Sequence, residues 1–489
     1  DLGQALARHN KLRELYLRYC SIEADDVRAL AAGLAQQAGT LEVVDLHWNK
    51  VGDAAGDLGQ ALARHNKLRE LYLWHCSIEA DDVRALTAGL AQQAGTLEVV
   101  KLNENKVGDA AEDLGQALAR HNKLRELYLW HCSIEADDVR ALAAGLAQQA
   151  GTLEVVDLAV NKVGYAAGDL GQALARHNKL RELYLWHCSI EADDVRALAA
   201  GLAQQAGTLE VVDLAVNKVG YAAGDLGQAL ARHNKLRELH LDDCSMEADD
   251  VRALAAGLAQ QAGTLEVVDL HWNKVGDAAG DLGQALARHN KLRELDLRYC
   301  SIEAHDVRAL AAGLAQQAGT LEVVKLNENK VGDAAGDLGQ ALARHNKLRE
   351  LDLRYCSIEA HDVRALAAGL AQQAGTLEVV ELDSNEVGDA AGDLGQALAR
   401  HNKLRELHLR DCSMEADDVR ALAAGLAQQA GTLKVVDLSE NEVGYAALDL
   451  AQSIKHHTAL HSLSLLWFGL NSDQREAIKQ LLPEVSLLG

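Results

Sequence analysis

Hydrophobic positions along this chain obey two alternating rules. In Leu68-Arg69-Glu70-Leu71-Tyr72-Leu73-Trp74-His75-Cys76, Leu71 and Leu73 alternate with Glu70, Tyr72 and Trp74. A period of two predicts a short strand with one buried and one exposed face. Leu41-Glu42-Val43-Val44-Asp45-Leu46-His47-Trp48-Asn49 repeats the pattern. Between such stretches the spacing lengthens to that of a helix. Val27, Leu30 and Leu34 share one stripe of a helix predicted from about Glu23 to Gln37, and Leu58 and Leu62 mark another from about Asp53 to His65. Ala31, Ala32 and Gly33 keep the first helix thin where it meets its neighbours. Gly39 is placed near its C-cap and Asn66 at the end of the second helix. Gly56 and Gly59 lower the propensity of that second helix, so packing against neighbours must stabilise it.

This strand–helix–strand–helix unit recurs. The segment Asp1-Leu2-Gly3-Gln4 restarts every 56 residues, at Asp57, Asp113, Asp169, Asp225, Asp281, Asp337 and Asp393, and in altered form at Asp449. Repetition overrides the several domains that 489 residues would otherwise imply. The expected organisation is one elongated repeat domain over 1–448, with its first helix truncated, and a divergent capping repeat over 449–489. In the tail, Leu460 to Leu470 reads as one last strand segment with Phe468 where Asn or Cys stands elsewhere. Asp473 to Leu482 reads as a final helix stopped by Pro483, the single proline. The opening residues fall inside a second-type helix, so the chain reads as a piece whose first strand edge is open.

Each unit divides into Leu12-x-x-Leu15-x-Leu17-x-x-Cys20-x-Ile22 and Leu41-x-x-Val44-x-Leu46-x-x-Asn49-x-Val51. This alternation of Cys-type and Asn-type consensus with long helices resembles the leucine-rich repeats of the ribonuclease-inhibitor class, which also form the sensor region of animal NOD-like receptors. The resemblance covers essentially every residue. It implies an α/β fold: a right-handed solenoid, horseshoe-shaped, with a parallel β-sheet on the concave face and helices on the convex face. For function it implies recognition of a protein, which must be argued from particular residues because fold does not fix function.

Composition narrows the classes. The net charge of −24 supplies no basic stripe for phosphates, which excludes nucleic acid as the expected partner and favours a basic protein, although much of the acid is a solvated helix face. No apolar run approaches the roughly 20 residues of a membrane helix, and no signal peptide opens the sequence. The eight cysteines occur once per unit. Neighbours in that column would lie two strands apart, about 9.6 Å, beyond the roughly 7 Å between Cα atoms that a disulfide tolerates. Free buried thiols are therefore expected, which points to a reducing, cytoplasmic setting.

Catalysis finds no support, because nearly every polar residue exists in eight copies rather than in one converging set. The expectation is a non-enzymatic chain with no cofactor and no metal. Of the twenty histidines, eight (His9, His65, His121, His177, His233, His289, His345 and His401) occupy one helix-end position, where a positive charge suits the helix dipole. His47 with His75, and His240 with His271, could neighbour one another, but two histidines without a third ligand make a poor metal site. The Asn49 column reads as structural, its amide satisfying loop backbone at each strand end.

Variation between copies carries the functional signal. The columns of Tyr16, Arg18 and Tyr19 and of Asp45, His47 and Trp48 differ most, and strand alternation turns them outward. Candidate ligand-binding residues are Tyr16, Arg18, Tyr19, His47, Trp48, Tyr72, Trp74, His75, Tyr128, Trp130, His131, Val160, Tyr184, Trp186, His187 and Val216, followed by Asp242, Asp243, Trp272, Arg298, Tyr299, Arg354, Tyr355 and Arg410. Trp130, Val160, Trp186 and Val216 are expected to form an apolar stripe facing solvent, the kind of patch that marks binding sites. Trp, Tyr and Arg are the types enriched at interface hot spots. Tyr165, Tyr221 and Tyr445 replace Asp53, and the first two are expected to extend the aromatic zone towards one rim. The leading reading is a sensor-type recognition module for a protein or peptide. The alternatives are an inhibitor of a basic enzyme, and a consensus-like scaffold without a natural ligand.

Overall fold

The computed structural model describes the whole chain except residues 1, 10, 38, 94, 150, 206, 262, 318, 374, 430, 467–469 and 489, so the expectation for Phe468 lies outside the described residues. The chain forms two compact units, Asp1–Cys244 and Ser245–Gly489. In the first, β1 (Glu14–Tyr16), β2 (Val43–Asp45), β3 (Glu70–Tyr72), β4 (Val99–Lys101), β5 (Glu126–Tyr128), β6 (Val155–Asp157), β7 (Glu182–Tyr184), β8 (Val211–Asp213) and β9 (Glu238–His240) run parallel, each paired with the next. In the second, β10 (Val267–Asp269), β11 (Glu294–Asp296), β12 (Val323–Lys325), β13 (Glu350–Asp352), β14 (Val379–Glu381), β15 (Glu406–His408), β16 (Val435–Asp437), β17 (Ser462–Ser464) and β18 (Ser486–Leu488) do the same. Within each unit this is the α/β leucine-rich repeat arrangement that the sequence pattern predicts.

The framework residues are the core. Leu68, Leu71, Leu73, Cys76 and Ile78 are fully buried, as are their counterparts in the interior repeats. Each Cys-type strand leads to an α-helix of the Ala80–Leu90 kind, opened where Asp82 Oδ2 accepts from Glu79 N. Asn-type strands from β2 to β14 lead to something shorter than the predicted helix: a 3-10 turn of the Gly52–Ala54 kind, running into an α-helix of the Ala55–Leu62 kind. After β16 the helix Ala446–Ile454 follows without that turn. Gly52 enters that turn at φ +45°, a left-handed conformation that glycine adopts freely. The helices close on alanines in right-handed geometry, Ala35 and Ala63. Gly39 and Asn66 therefore lie in the loops beyond the helix ends rather than capping them.

Gly59 has a different role from a weak helix former. A Cβ there would sit 2.6 Å from Leu86 O, and one on Gly89 would sit 2.2 Å from the Gly59 carbonyl carbon. The two helices touch backbone to backbone, which only glycine permits. Gly115 with Gly145 and Gly171 with Gly201 repeat the crossing in the first unit, and Gly283 with Gly313 in the second.

Side chains close each strand end. Asn105 Oδ1 accepts from Cys76 N and Ile78 N, both at 3.0 Å, while Nδ2 donates to Leu73 O at 2.7 Å and Leu102 O at 2.8 Å. One amide thus satisfies four backbone groups across two strands, the structural role read from the sequence. Among the described residues the cysteines form no disulfide, and all but Cys20 are buried. Cys76 Sγ donates to Leu46 O at 3.3 Å, and burial pushes its thiol up to about 12.

The histidine column needs correction. His65 is buried, not charged at a helix end: Nδ1 accepts from Leu41 N at 3.3 Å and Nε2 donates to Leu34 O at 3.1 Å. Those two bonds fix a neutral tautomer, and burial lowers its pKa. The tail also departs from expectation. After the helix Ser472–Leu481, opened by Asn471, the chain adds β18, which pairs with β17.

Candidate functional site

The three-residue strands end sooner than the alternation suggested, so the variable positions span the last strand residue and the turn after it. The third variable column adopts left-handed backbone whatever its residue. Trp48 has φ 55°, His75 54°, Glu104 56°, Val160 55° and Val216 56°. For β-branched valine this conformation is strongly disfavoured. It recurs because a backbone bond demands it: Val160 N donates to Trp186 O at 2.9 Å across the neighbouring strand. The turn thus aims sixteen very different residues along one edge of the sheets at a conformational cost to each.

The early strands of the first unit carry a ladder of rings. Tyr19 stacks on Trp48 at 5.6 Å between centroids, and Trp48 on His75 at 3.7 Å. His47 stacks on Trp74 at 4.3 Å and meets Asp45 Oδ1 through Nδ1 at 2.5 Å. That packing buries His47, only 7% exposed, so it supports the ladder rather than being displayed on it. Tyr16, Arg18 and Tyr19 are exposed, whereas Tyr72, Trp74 and His75 are half-buried. His75 Nδ1 lies 3.0 Å from Glu104.

Further along the same face, Trp130 is half-buried, Trp186 is 38% exposed, and Val160 and Val216 stand beside them with His131 and His187 exposed. Ala159 between the two indoles is fully covered. Tyr128 and Tyr184 are half-buried, and their hydroxyls donate to Glu126 and Glu182 at 3.3 and 3.1 Å. Sequence reasoning missed three residues here. Lys101 places Nζ 4.0 Å from the Tyr128 ring centroid and 5.7 Å from that of Tyr72. Asn103 is buried, and its Oδ1 has no hydrogen-bond partner among the described residues. Asp157 lies between Tyr128 and Tyr184 in the strand register, and burial raises its carboxyl to about 6. Lys101 and Asp157 stand in the variable column of Asp45 and Asn103 in that of His47, so the columns pointed to these positions but not to the contacts with their aromatic neighbours. Asp242 is half-buried and Asp243 exposed at the end of this unit.

The second unit displays fewer rings and pairs its charges internally. Trp272 stacks on Tyr299 at 4.5 Å, and both are exposed. Arg298 caps the buried Asp296 at 2.7 Å, and Arg354 reaches the buried Asp352 and half-buried Glu381, each at 2.6 Å. Arg410 pairs with Glu440, and Tyr355 stands exposed nearby. The acidic members of this charged stretch are therefore partly hidden beneath arginines.

Tyr165, Tyr221 and Tyr445 are exposed, but they face the helix layer. The Arg140, Arg196 and Arg420 guanidinium carbons lie 5.0, 5.2 and 4.8 Å from their ring centroids. Those arginines belong to the long helices, so these tyrosines do not continue the strand-face patch. A groove of about 650 Å³ in the first unit also lies on the helix layer, among Arg28, Asp57, Gln60, Arg64 and small residues. It follows from the thin helices and brings no varied residues together.

A sheet edged by side chains that vary while the framework stays fixed defines a scaffold for recognition. The chain belongs to the ribonuclease-inhibitor family of leucine-rich repeat proteins, and it is a non-enzymatic, protein-binding module. The family model described as Leucine Rich repeat matches residues 8–31, 288–311, 344–367 and 400–423. Ribonuclease inhibitor of Sus scrofa is 30% identical over 414 residues, covering 82% of this chain and 89% of that protein. NACHT, LRR and PYD domains-containing protein 12 of Mus musculus is 26% identical over 328 residues, covering 66% of this chain and 31% of that protein. A leucine-rich repeat protein of Leptospira interrogans aligns structurally with a TM-score of 0.50 at 15% identity, covering 100% of this chain and 98% of that one, a likeness of fold alone. No described helix is long and apolar enough to cross a membrane.

Proposed function

We propose that the chain recognises a protein or peptide ligand on its open strand face, in the manner of a sensor region. Trp74, Trp130 and Trp186, with Tyr72, Tyr128 and Tyr184, would be its principal anchors. The observation that carries this reading is where the tryptophans stand. The described ones all lie in the variable strand-face columns, partly exposed, while the core is built from leucine, valine and alanine. Asn103 adds a buried acceptor in need of a donor, between the positions of Trp74 and Trp130. Strands held by the asparagine ladder present these groups preorganised, which lowers the ordering cost of binding. Arg298, Arg354 and Arg410 of the second unit would contribute specificity. Buried cysteines that form no disulfide among the described residues support a cytoplasmic setting.

The test is affinity capture from the cytosol of the source cells with the native chain and with a Trp130→Ala/Trp186→Ala variant of equal circular dichroism. Loss of the retained proteins with the variant supports the reading; an unchanged set removes it.

A second reading, inhibition of a basic ribonuclease, is favoured by the 89% of the pig ribonuclease inhibitor that the alignment covers and by the net charge of −24. Titration with pancreatic ribonuclease A decides it. Salt-sensitive binding that suppresses RNA cleavage supports inhibition, and no binding at low ionic strength rules it out.

A further inference from the structure

One row of the first unit's strand face reads Tyr72, Lys101, Tyr128, Asp157, Tyr184 and Asp213 on successive strands β3 to β8. In its first interval the chain supplies its own cation: Lys101 Nζ lies between two tyrosine rings, 4.0 Å from one centroid and 5.7 Å from the other. An ammonium over an aromatic face is attracted by the ring quadrupole. The next interval has the same two walls, Tyr128 and Tyr184, and the same strand register, but the residue between them is a carboxylate. Asp157 is half-buried, accepts a hydrogen bond from Ala159 N at 3.0 Å, and has no ion-pair partner among the described residues.

The phenols of Tyr128 on β5 and Tyr184 on β7 are neutral, and each lies in the field of a carboxylate of its own strand, Glu126 and Glu182. Asp213 on β8 raises the Asp157 carboxyl further, while Lys101 on β4 is the one cation whose field lowers it. Two neighbouring tyrosines and a desolvated carboxylate without an ion-pair partner among the described residues suit a single positive charge arriving from outside.

We propose that a lysine or arginine side chain of the protein ligand seats between Tyr128 and Tyr184 with Asp157 as its counter-ion, in the position that Lys101 takes between Tyr72 and Tyr128. This rests on the strand face being the binding face, and it names the chemistry that face selects. Burial holds the Asp157 carboxyl at about 6, so its ionised form, and with it cation affinity, grows as pH rises through that value.

The experiment titrates the full chain with hexalysine at low ionic strength, followed by tryptophan fluorescence between pH 5 and pH 7.5. Affinity is expected to rise with pH in the native chain, and Asp157→Asn is expected to weaken binding about tenfold at pH 7.5 and to flatten the profile. Tyr184→Phe, which keeps the ring, should bind like the native chain, and Tyr184→Leu should not. Asp57→Asn removes one helix-layer charge and should leave affinity within about twofold. An equal loss in Asp57→Asn, or native-like binding by Asp157→Asn, overturns the proposal. A ligand captured through Trp130 and Trp186 but indifferent to Asp157→Asn would overturn this subsite while leaving the binding-face reading intact.

Discussion

Val160 shows how local preference and repeat geometry compete at single residues. Its φ of 55° is set by the bond from its N–H to Trp186 O, not by its side chain. Such strain costs roughly 1–3 kcal/mol, so Val160→Asn should stabilise the chain by about 1 kcal/mol, read as a higher urea midpoint at unchanged slope. Nothing in the sequence exposed this strain, because valine is among the residues least suited to that backbone. Asn161 was legible, since a polar residue fixed at every strand end needs a backbone partner. Its amide holds Cys132 N, Ile134 N, Leu129 O and Leu158 O. Asn161→Ala removes the side-chain partner of Cys132 N, Ile134 N and Leu129 O, while Leu158 O keeps the Cys188 thiol at 3.2 Å, and should cost about 3 kcal/mol by the same measurement. His47 was not legible as a buried residue, because its cover is Trp74 on the adjacent strand.

At the scale of elements, the period-two and helical stripes predicted strand and helix order along the chain, since each framework leucine faces the same environment in every repeat. The finer divisions were hidden. The second-type helix starts with a 3-10 turn because Gly52 must turn the chain, and β18, Ser486–Leu488, lacks the Leu-x-x-Leu-x-Leu frame that marks the repeat strands. The helix crossings also rest on contacts between repeats. A Cβ on Gly145 would lie 2.4 Å from the Gly115 carbonyl carbon. Gly145→Ala gains helix propensity of about 1 kcal/mol yet forces the two helices apart. We expect net destabilisation by about 2 kcal/mol, seen as a lower thermal midpoint; a rise in that midpoint would show that the crossing relaxes freely.

Across the molecule, the buried histidines couple stability to pH. His65, His121, His177, His233, His289, His345 and His401 all have pKa values lowered by burial. Above about pH 6.5 both folded and unfolded forms leave them neutral, and the groups exert no pH effect. Below that value the unfolded chain takes up protons that the folded one resists, so stability must fall as pH drops. The thermal midpoint is expected to decline steadily from pH 7 to pH 5, and a flat profile would contradict the neutral tautomer. The face that these elements support was legible as a set of varying columns, but its division was not. The aromatic ladder, the Asp157 interval and the self-paired arginines differ through contacts between strands that no single repeat contains. The most direct test of the binding-face account is the comparison of native and Trp130→Ala/Trp186→Ala chains in affinity capture. The account predicts that proteins held by the native chain are lost from the variant at unchanged fold, and an identical set on both would contradict it.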